Sequence, residues 1–280
     1  MLIHIPKAYI DDQVTHALEE DIGDGDITAI LIPEDKLTMA EIVCREPAIL
    51  CGKNWFNSVF KKLSPEIELR WQKNDGDEIH ADEVICDLSG PARPILSGER
   101  TALNFLQTLS ATATITHQFV KAIAGTSSRI LDTRKTIPGY RLAQKYAVHC
   151  GGGSNHRLGL YDMVLIKENH IIAAGSIQAA VQAAKQQAPG FEIEIEVETL
   201  DELEQALACD ADRILLDNME LSLLKRAVAI NSGHAELEAS GNVNLDNVRQ
   251  IAETGVDYIS IGGITKHINA IDFSMRFSDF

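Results

Sequence analysis

The second half of the chain alternates between short apolar runs and segments with helical spacing. Helical spacing occurs over 140–148, 176–187, 200–208, 221–230 and 245–253. The apolar runs between and around these segments are RILDT, DMVLIK, FEIEIEVE, DRILLDN, AELEASG and DYISIGG. Strand–helix alternation with short links is typical of a parallel sheet covered by helices. Six such units without a reversal signal predict a closed six-stranded parallel α/β barrel, and a doubly wound open sheet is the alternative.

The first half mixes strand and helix patterns without a regular alternation. Residues 8–20 have the spacing of a helix, residues 38–45 the pattern of a strand, and residues 55–63 the spacing of a second helix. Short strands around an Asn-Asp-Gly turn follow. One further helix is predicted to begin near Ser97, capped by its hydroxyl, and another covers 116–124. This mixture indicates a small α+β domain ahead of the barrel.

Composition narrows the class of protein. The chain has 280 residues, of which 45% are hydrophobic and 24% charged, and its formal net charge is −16. Such an acidic chain is repelled by polyanions, which argues against a general nucleic-acid or membrane-surface role. The five cysteines are scattered without a C-x-x-C pair, and we find neither a signal peptide nor an apolar stretch long enough to span a bilayer. We therefore expect a cytoplasmic protein.

Charged and hydrogen-bonding residues gather where the predicted strands end, which is where parallel α/β barrels carry their active sites. These residues include Arg134 and Lys135, Lys167 to His170, Glu196, Asp217, Ser240 with Gly241, and Gly262 with Gly263. The cations, together with His156 and Arg157, predict a multiply charged anionic ligand. Glu196 and Asp217 supply the hard oxygens that Mg²⁺ prefers. An enzyme is therefore favoured over a scaffold.

Several single residues also have a purely structural interpretation. His149 is expected to pack rather than bind, and His170 either caps the next helix or contributes to the site. Glu192 and Glu194 alternate with apolar residues, so one set of glutamates points inward or lines a barrel lumen, or the strand is a solvated edge. The glycine run 151–153 follows a helix rather than a strand. We therefore interpret it as a permissive turn before His156 and Arg157, and expect phosphates at ASGN and IGGIT instead.

Taken in order, the segments DTRKTIPGYR, GGGSNHRLGLYD, LIKENH, EVE, LLDN, ASGN and ISIGGIT resemble those of the quinolinate phosphoribosyltransferase family. EEDIGDGDIT and SGERTALN extend the resemblance over nearly the whole chain. It implies an N-terminal α/β sandwich domain, for which we predict residues 1–112, and an open-ended α/β barrel over 113–269. The tail 270–280 is expected to dock on the first domain.

The family's reaction joins quinolinate to phosphoribosyl pyrophosphate and releases CO₂, which makes nicotinate mononucleotide for NAD synthesis. The resemblance implies that Arg134, His156 and Arg157 hold the quinolinate carboxylates, with Arg100 reaching in from the partner of a homodimer. Catalytic roles are implied for Lys135, Lys167, Glu196 and Asp217, and the last two would also bind Mg²⁺. Phosphoribosyl pyrophosphate would contact these four residues and a phosphate-binding set, with His267 nearby: Ser240, Gly241, Gly262, Gly263 and Lys266.

The sequence argues against three other functions. A relative found in molybdenum-transport gene clusters shares DTRKT but lacks the K-x-N-H that begins at Lys167. A nicotinate phosphoribosyltransferase would not need so many cations for one carboxylate. A non-catalytic binder of an anionic metabolite would bind without turnover, and Lys135, Glu196 and Asp217 speak against that class.

Overall fold

The computed structural model describes residues 5–278. The chain divides into two compact units, one made of Met1–His117, Leu142–Gly152 and His267–Phe280, and the other of Gln118–Arg141 and Gly153–Lys266. None of the helices within the described residues is long and apolar enough to cross a membrane.

The first unit combines helices with antiparallel strands. Its elements are α1 (Lys7–Ile22), a 3₁₀ turn (Ala29–Leu31), β1 (Leu37–Cys44), β2 (Ala48–Ile49), α2 (Lys53–Leu63), β3 (Glu68–Trp71), β4 (Glu78–Ile79), β5 (Val84–Pro91), α3 (Ala92–Ala122) and α4 (Arg141–Cys150). The strand β12 (Phe273–Ser278) completes a sheet in the order β12-β1-β5-β3, and β2 pairs with β4. Most of the C-terminal tail thus forms an edge strand on β1, and residues 279 and 280 lie outside the described part. The helices predicted over 8–20 and 55–63 and the strand over 38–45 are confirmed.

The prediction of two helices around Ser97 and 116–124 is wrong, because α3 is one helix of 31 residues. The Ser and Thr residues between the two predicted helices have a lower helix propensity than Ala or Leu. Tertiary contacts override that preference. Ser110 hydrogen-bonds to the backbone of Cys51, and Thr114 accepts a hydrogen bond from the amide of Ile49. Ser97 does not cap the helix; it lies inside it and donates to Asp26 Oδ2 at 2.7 Å.

The second unit is built on six parallel strands. They are β6 (Arg129–Leu131), β7 (Val164–Ile166), β8 (Ile193–Val197), β9 (Arg213–Asp217), β10 (Glu236–Ser240) and β11 (Tyr258–Ser260). The helices that follow β7 to β11 are α5 (Glu168–Ala174), α6 (Ile177–Gln187), α7 (Leu200–Leu207), α8 (Leu221–Asn231), α9 (Val248–Ala252) and α10 (Gly263–Lys266). Each helix predicted between the strands is therefore present, with boundaries shifted by a few residues.

Strand order identifies a barrel rather than a doubly wound sheet. The order is β6-β11-β10-β9-β8-β7, so the first strand pairs with the last, as in a barrel. The expectation of full closure is wrong, since among the described residues β6 and β7 do not pair. Ser154 occupies that side of β6 instead: its amide donates to Ile130 O at 2.8 Å, and its carbonyl accepts from the amide of Asp132. The open-ended barrel that the family resemblance implied is therefore what the strands form.

Candidate active site

The carboxyl ends of β7, β8 and β9 carry Lys167, Glu196 and Asp217, and Asn218 follows Asp217 directly. Lys167 follows β7 directly, and its Nζ forms an ion pair with Glu196 of β8. Asp217 ends β9, and its Oδ2 accepts a hydrogen bond of 2.8 Å from Asn218. Partial burial and then the neighbouring Glu196 raise the pKa of Asp217, while Lys167 and Lys135 act in the opposite direction. The predicted catalytic residues Lys135, Lys167, Glu196 and Asp217 therefore share one electrostatic cluster.

Lys135 lies against the loop that follows β11. A side chain added at Gly262 would meet Lys135 Cδ at 2.7 Å, so glycine leaves room for the lysine stem. The hydroxyl of Thr265, in α10, donates to the carbonyl of Lys135 at 2.9 Å. Gly263 is the first residue of the same helix, and Lys266, its last, is exposed. These contacts bring the predicted phosphate loop and the predicted catalytic lysine together.

Gly241 adapts the loop after β10 in a similar way. Its φ is +98°, in the region that favours glycine, and an added Cβ would meet the Oδ1 of Asn218 at 2.1 Å. Ser240, the last residue of β10, pairs in register with Asp217. Ser240 and Gly241 therefore lie beside the carboxylate cluster, at the same end of the sheet.

Arg134 and Arg157 form a pair of cations on two neighbouring loops. Partial burial and then the charge of Arg134 lower the pKa of Arg157, as expected for like charges held close together. The Nε of Arg134 is buried and has no hydrogen-bond partner among the described residues. A buried guanidinium nitrogen without a partner is costly unless a ligand supplies an acceptor. This pair is therefore suited to a carboxylate-bearing molecule.

His156 occupies a different environment from the one predicted. Its side chain is buried, and its Nε2 lies 2.8 Å from Glu194 Oε2 and 3.4 Å from Glu238 Oε2. Its Nδ1 accepts a hydrogen bond of 2.8 Å from the amide of Arg157, so Nε2 carries the proton that faces Glu194. A direct contact between His156 and quinolinate stays a prediction, and the observed ring positions its neighbour.

Glu194 and Glu238 lie inside the barrel. They belong to β8 and β10, and their fully buried carboxyl groups approach each other across the intervening β9, which is only possible on the concave side of the sheet. Burial raises the pKa of Glu194 to about 7 and that of Glu238 to about 8. Glu192 precedes β8 and is exposed, whereas Glu194 and Glu196, two positions apart on the strand, share a face, and of the two only Glu194 is fully buried.

Two residues without a predicted role, Asp132 and Arg141, hold the two arginine loops. Asp132 is fully buried and accepts hydrogen bonds from the Asn155 side chain and the His156 amide. Arg141 donates to the carbonyls of Arg134 and Leu158, which joins the two loops. The position of Asp132 directly after an apolar run was a usable signal. Nothing in the local sequence distinguishes Arg141 from a surface cation.

His170 and Arg100 lie on the helices α5 and α3. His170 caps α5: its Nδ1 accepts from the amide of Lys167 at 2.9 Å, which confirms the capping interpretation. Arg100 is exposed on α3 in the first unit. The glycine run ends α4, and Gly152 has a φ of +85°. It is a turn that precedes His156 and Arg157, as predicted.

Comparison with known proteins gives consistent matches along the chain. The family model described as the C-terminal domain of quinolinate phosphoribosyl transferase matches residues 112–276, and the model of its N-terminal domain matches residues 26–110. A probable carboxylating nicotinate-nucleotide pyrophosphorylase of Bacillus subtilis is 41% identical over 94% of this chain and 91% of its own. A decarboxylating quinolinate phosphoribosyltransferase of Nicotiana tabacum is 40% identical over 93% of this chain and 80% of its own.

A solved structure gives the same match in three dimensions. The nicotinate-nucleotide pyrophosphorylase of Francisella tularensis superimposes with a TM-score of 0.97 at 47% sequence identity, and the alignment covers 99% of each chain. Both units of the fold described above are therefore shared with that structure.

Proposed function

We propose, from the premise that this chain belongs to the quinolinate phosphoribosyltransferase family, that the strand ends of its barrel bind both substrates and carry out the chemistry. The reaction transfers the phosphoribosyl group of phosphoribosyl pyrophosphate to quinolinate, with loss of CO₂, and yields nicotinate mononucleotide and pyrophosphate. The observation that carries the assignment of the site is that one unit contains both the two arginine loops, with Arg134 and Arg157, and the carboxylates Glu196 and Asp217.

Arg134 and Arg157 bind the quinolinate carboxylates in this proposal. Support comes from the buried Nε of Arg134 without a partner, and from the lowered pKa of Arg157 beside it. Guanidinium groups recognise carboxylates with two parallel hydrogen bonds, which also fixes the orientation of the ring. His156 completes the set by holding the backbone of Arg157.

Phosphoribosyl pyrophosphate binds along the other strand ends. Glu196 and Asp217 lie where the ribose hydroxyls would be held, and Lys135 and Lys167 lie where the negative charge of pyrophosphate grows. The 5-phosphate is assigned to the loops after β10 and β11, where glycines allow close approach of the backbone. The residues of this phosphate-binding set are Ser240, Gly241, Gly262, Gly263 and Lys266.

The donor set formed by Glu196 and Asp217 fits Mg²⁺. Both offer carboxylate oxygens, and the repulsion between them, which contributes to the raised pKa of Asp217, is what a divalent cation relieves. When bound, Mg²⁺ supplies positive charge next to the pyrophosphate oxygens.

Asp217→Asn is expected to raise the Mg²⁺ concentration needed for half-maximal activity about tenfold or more, because one charged ligand is lost. Mg²⁺ titrations of initial rate measure this effect. The exposed Asp201, on α7, provides the control Asp201→Asn, which should leave the Mg²⁺ dependence unchanged. An identical Mg²⁺ dependence for wild type and Asp217→Asn would remove Asp217 from the metal site.

The chemistry follows from these positions. The pyridine nitrogen attacks the anomeric carbon while pyrophosphate departs, and Lys135 and Lys167 offset the growing charge on the leaving group. Glu196 and Asp217 orient the ribose and stabilise its cationic character. CO₂ then departs from C2 and leaves the electron pair of the broken bond on that carbon, where the positive charge of the adjacent quaternised ring nitrogen stabilises it until a proton takes the place of the carboxylate. Lys135 is assigned as the donor of the proton that replaces it.

A homodimer completes the site in this proposal, with Arg100 acting on the partner's barrel. Next to the helix that carries Arg100, Ile27, Ile30 and Leu31 expose 84%, 68% and 78% of their surface. Asp26 fixes this apolar segment to α3 through its hydrogen bond with Ser97. A contiguous exposed apolar segment is typical of a protein–protein interface. A cytoplasmic location is also proposed, in keeping with five cysteines that are all free.

A product assay with two alternative acceptors tests the function. With phosphoribosyl pyrophosphate and Mg²⁺, quinolinate should give nicotinate mononucleotide, and nicotinate should give little or none. The physical reason is that two arginines are left without one of their carboxylates when nicotinate binds. Product formed from nicotinate but not from quinolinate would overturn the assignment in favour of a nicotinate phosphoribosyltransferase.

A further inference from the structure

A chain of buried polar groups runs through the barrel lumen from its amino end toward the two arginine loops. At the amino end, the Cζ of Arg213 lies 4.4 Å from the centroid of the Tyr258 ring, and the Nη1 of Arg213 lies 3.8 Å from Glu238 Oε2. The carboxyl groups of Glu238 and Glu194 lie close together next to it, and their four oxygens are buried and make no hydrogen bond among the described residues, although His156 Nε2 lies within ion-pair distance of both. The polar groups therefore link β9, β10, β11 and β8.

His156 is the last member of this series of polar groups and contacts both Glu194 and Glu238. Its Nε2 and the carboxylate oxygens of Glu194 and Glu238 all lie within 4.8 Å of one another. The same ring accepts the amide hydrogen of Arg157 through Nδ1. Both ring nitrogens are therefore engaged, one by the lumen carboxylates and the other by the residue proposed to bind quinolinate.

Burying two carboxyl groups inside the barrel has a large desolvation cost. An apolar side chain such as that of Leu215, which pairs in register with Glu238 and is buried, fills the lumen without that desolvation cost. The titratable groups that act on the pair are His156, Arg213 and Arg157, and Glu192 and Glu236 form ion pairs with Arg213. This series of polar groups ends at the loop of Arg157, which is proposed to bind quinolinate. The buried carboxyl groups are therefore expected to affect substrate binding as well as packing.

We propose that Glu194 and Glu238 are positioning residues for quinolinate: together they hold the His156 ring, and through it the Arg157 backbone, in the orientation that receives the substrate carboxylate. They do not touch the substrate themselves. The inference rests on the proposed contact between Arg157 and quinolinate. It deepens that proposal by assigning substrate affinity to two residues inside the barrel.

The role predicts an effect on one substrate only. The polar chain ends at Arg157, whereas the groups assigned to phosphoribosyl pyrophosphate are held by contacts of their own, such as the ion pair of Lys167 with Glu196. Loss of the lumen carboxyl groups should therefore weaken quinolinate binding and leave phosphoribosyl pyrophosphate binding nearly unchanged. A purely structural role would affect both substrates or only the stability of the fold.

Glu238 is the better residue for the test, because Glu194 is two positions from the proposed metal ligand Glu196, whereas Glu238 is two positions from Ser240, which is only one of five groups assigned to the phosphate. Glu238→Ala is expected to raise the KM for quinolinate about tenfold or more, since a small displacement of a substrate-binding group has large effects. The KM for phosphoribosyl pyrophosphate should stay within about twofold of wild type. Glu238→Gln keeps a hydrogen-bonding group of the same shape and should recover most of the lost quinolinate affinity.

Controls separate the outcomes. Wild type is assayed first, because absence of product from quinolinate would contradict the proposed function rather than this inference. Glu204→Ala removes an exposed glutamate from α7 and should leave both KM values unchanged. If Glu238→Ala folds, as judged by its thermal unfolding, and its two KM values rise equally or not at all, the positioning role is overturned. It is also overturned if wild type purifies with one equivalent of a transition metal that Glu238→Gln lacks, since the three groups would then be metal ligands.

Discussion

Replacing Lys135 with alanine is expected to lower kcat by about 100- to 1,000-fold, the usual loss when a preorganised charge that stabilises the transition state is removed. Lys135 lies against Gly262 in the predicted phosphate loop and interacts electrostatically with Asp217. It is thereby the lysine that touches both the phosphate-binding and the metal-binding parts of the proposed site. The KM of the Lys135→Ala enzyme for quinolinate should change much less than its kcat, because Arg134 and Arg157, the residues proposed to bind that substrate, are still present.

Two rates should be measured for Lys135→Ala, since the residue has two proposed roles. Release of pyrophosphate reports the transfer step, and release of CO₂ reports decarboxylation. Lys225→Ala, on the exposed surface of α8, is the matched control and should behave as wild type. If both rates of Lys135→Ala stay near those of wild type, Lys135 neither stabilises the leaving group nor donates the proton.

Mixing two inactive variants is expected to restore activity to about a quarter of the wild-type level, if Arg100 acts across a twofold interface. In a heterodimer of Arg100→Ala and Lys167→Ala subunits, one site combines an intact barrel with an intact Arg100, and the other site carries both defects. Random exchange at equal amounts makes about half of the dimers mixed, and half of their sites are complete.

The control for this experiment mixes Arg100→Ala with the double variant Arg100→Ala, Lys167→Ala, which cannot form a complete site. Heterodimers are demonstrated by differently tagged subunits that co-purify. No recovery of activity in proven heterodimers would show that Arg100 does not serve the partner's site.

The positions of the candidate catalytic residues were predictable, because they depend on a repeated local pattern. Each apolar run ends at a polar residue, and the carboxyl ends of parallel strands meet at one end of a barrel. Lys167, Glu196 and Asp217 follow from that rule alone. The capping role of His170 was also foreseeable from its spacing to Lys167.

Features that depend on distant neighbours were not predictable in the same way. The single helix α3 forms because Ser110 and Thr114 find partners near Cys51 and Ile49, far away in sequence. The alternation around Glu194 indicated an inward glutamate, but its meeting with Glu238 and His156 depends on the curvature of the barrel. The gap beside β6 likewise depends on where Ser154 lies.

The central claim is that this barrel joins quinolinate to the phosphoribosyl group and decarboxylates the product in one site. Quinolinate labelled in either carboxyl group tests it directly, in the presence of phosphoribosyl pyrophosphate and Mg²⁺. Label in the 2-carboxyl group should appear as CO₂ in equal amount to pyrophosphate, and label in the 3-carboxyl group should stay in nicotinate mononucleotide. Pyrophosphate release without labelled CO₂, or no pyrophosphate release with quinolinate, would contradict the account.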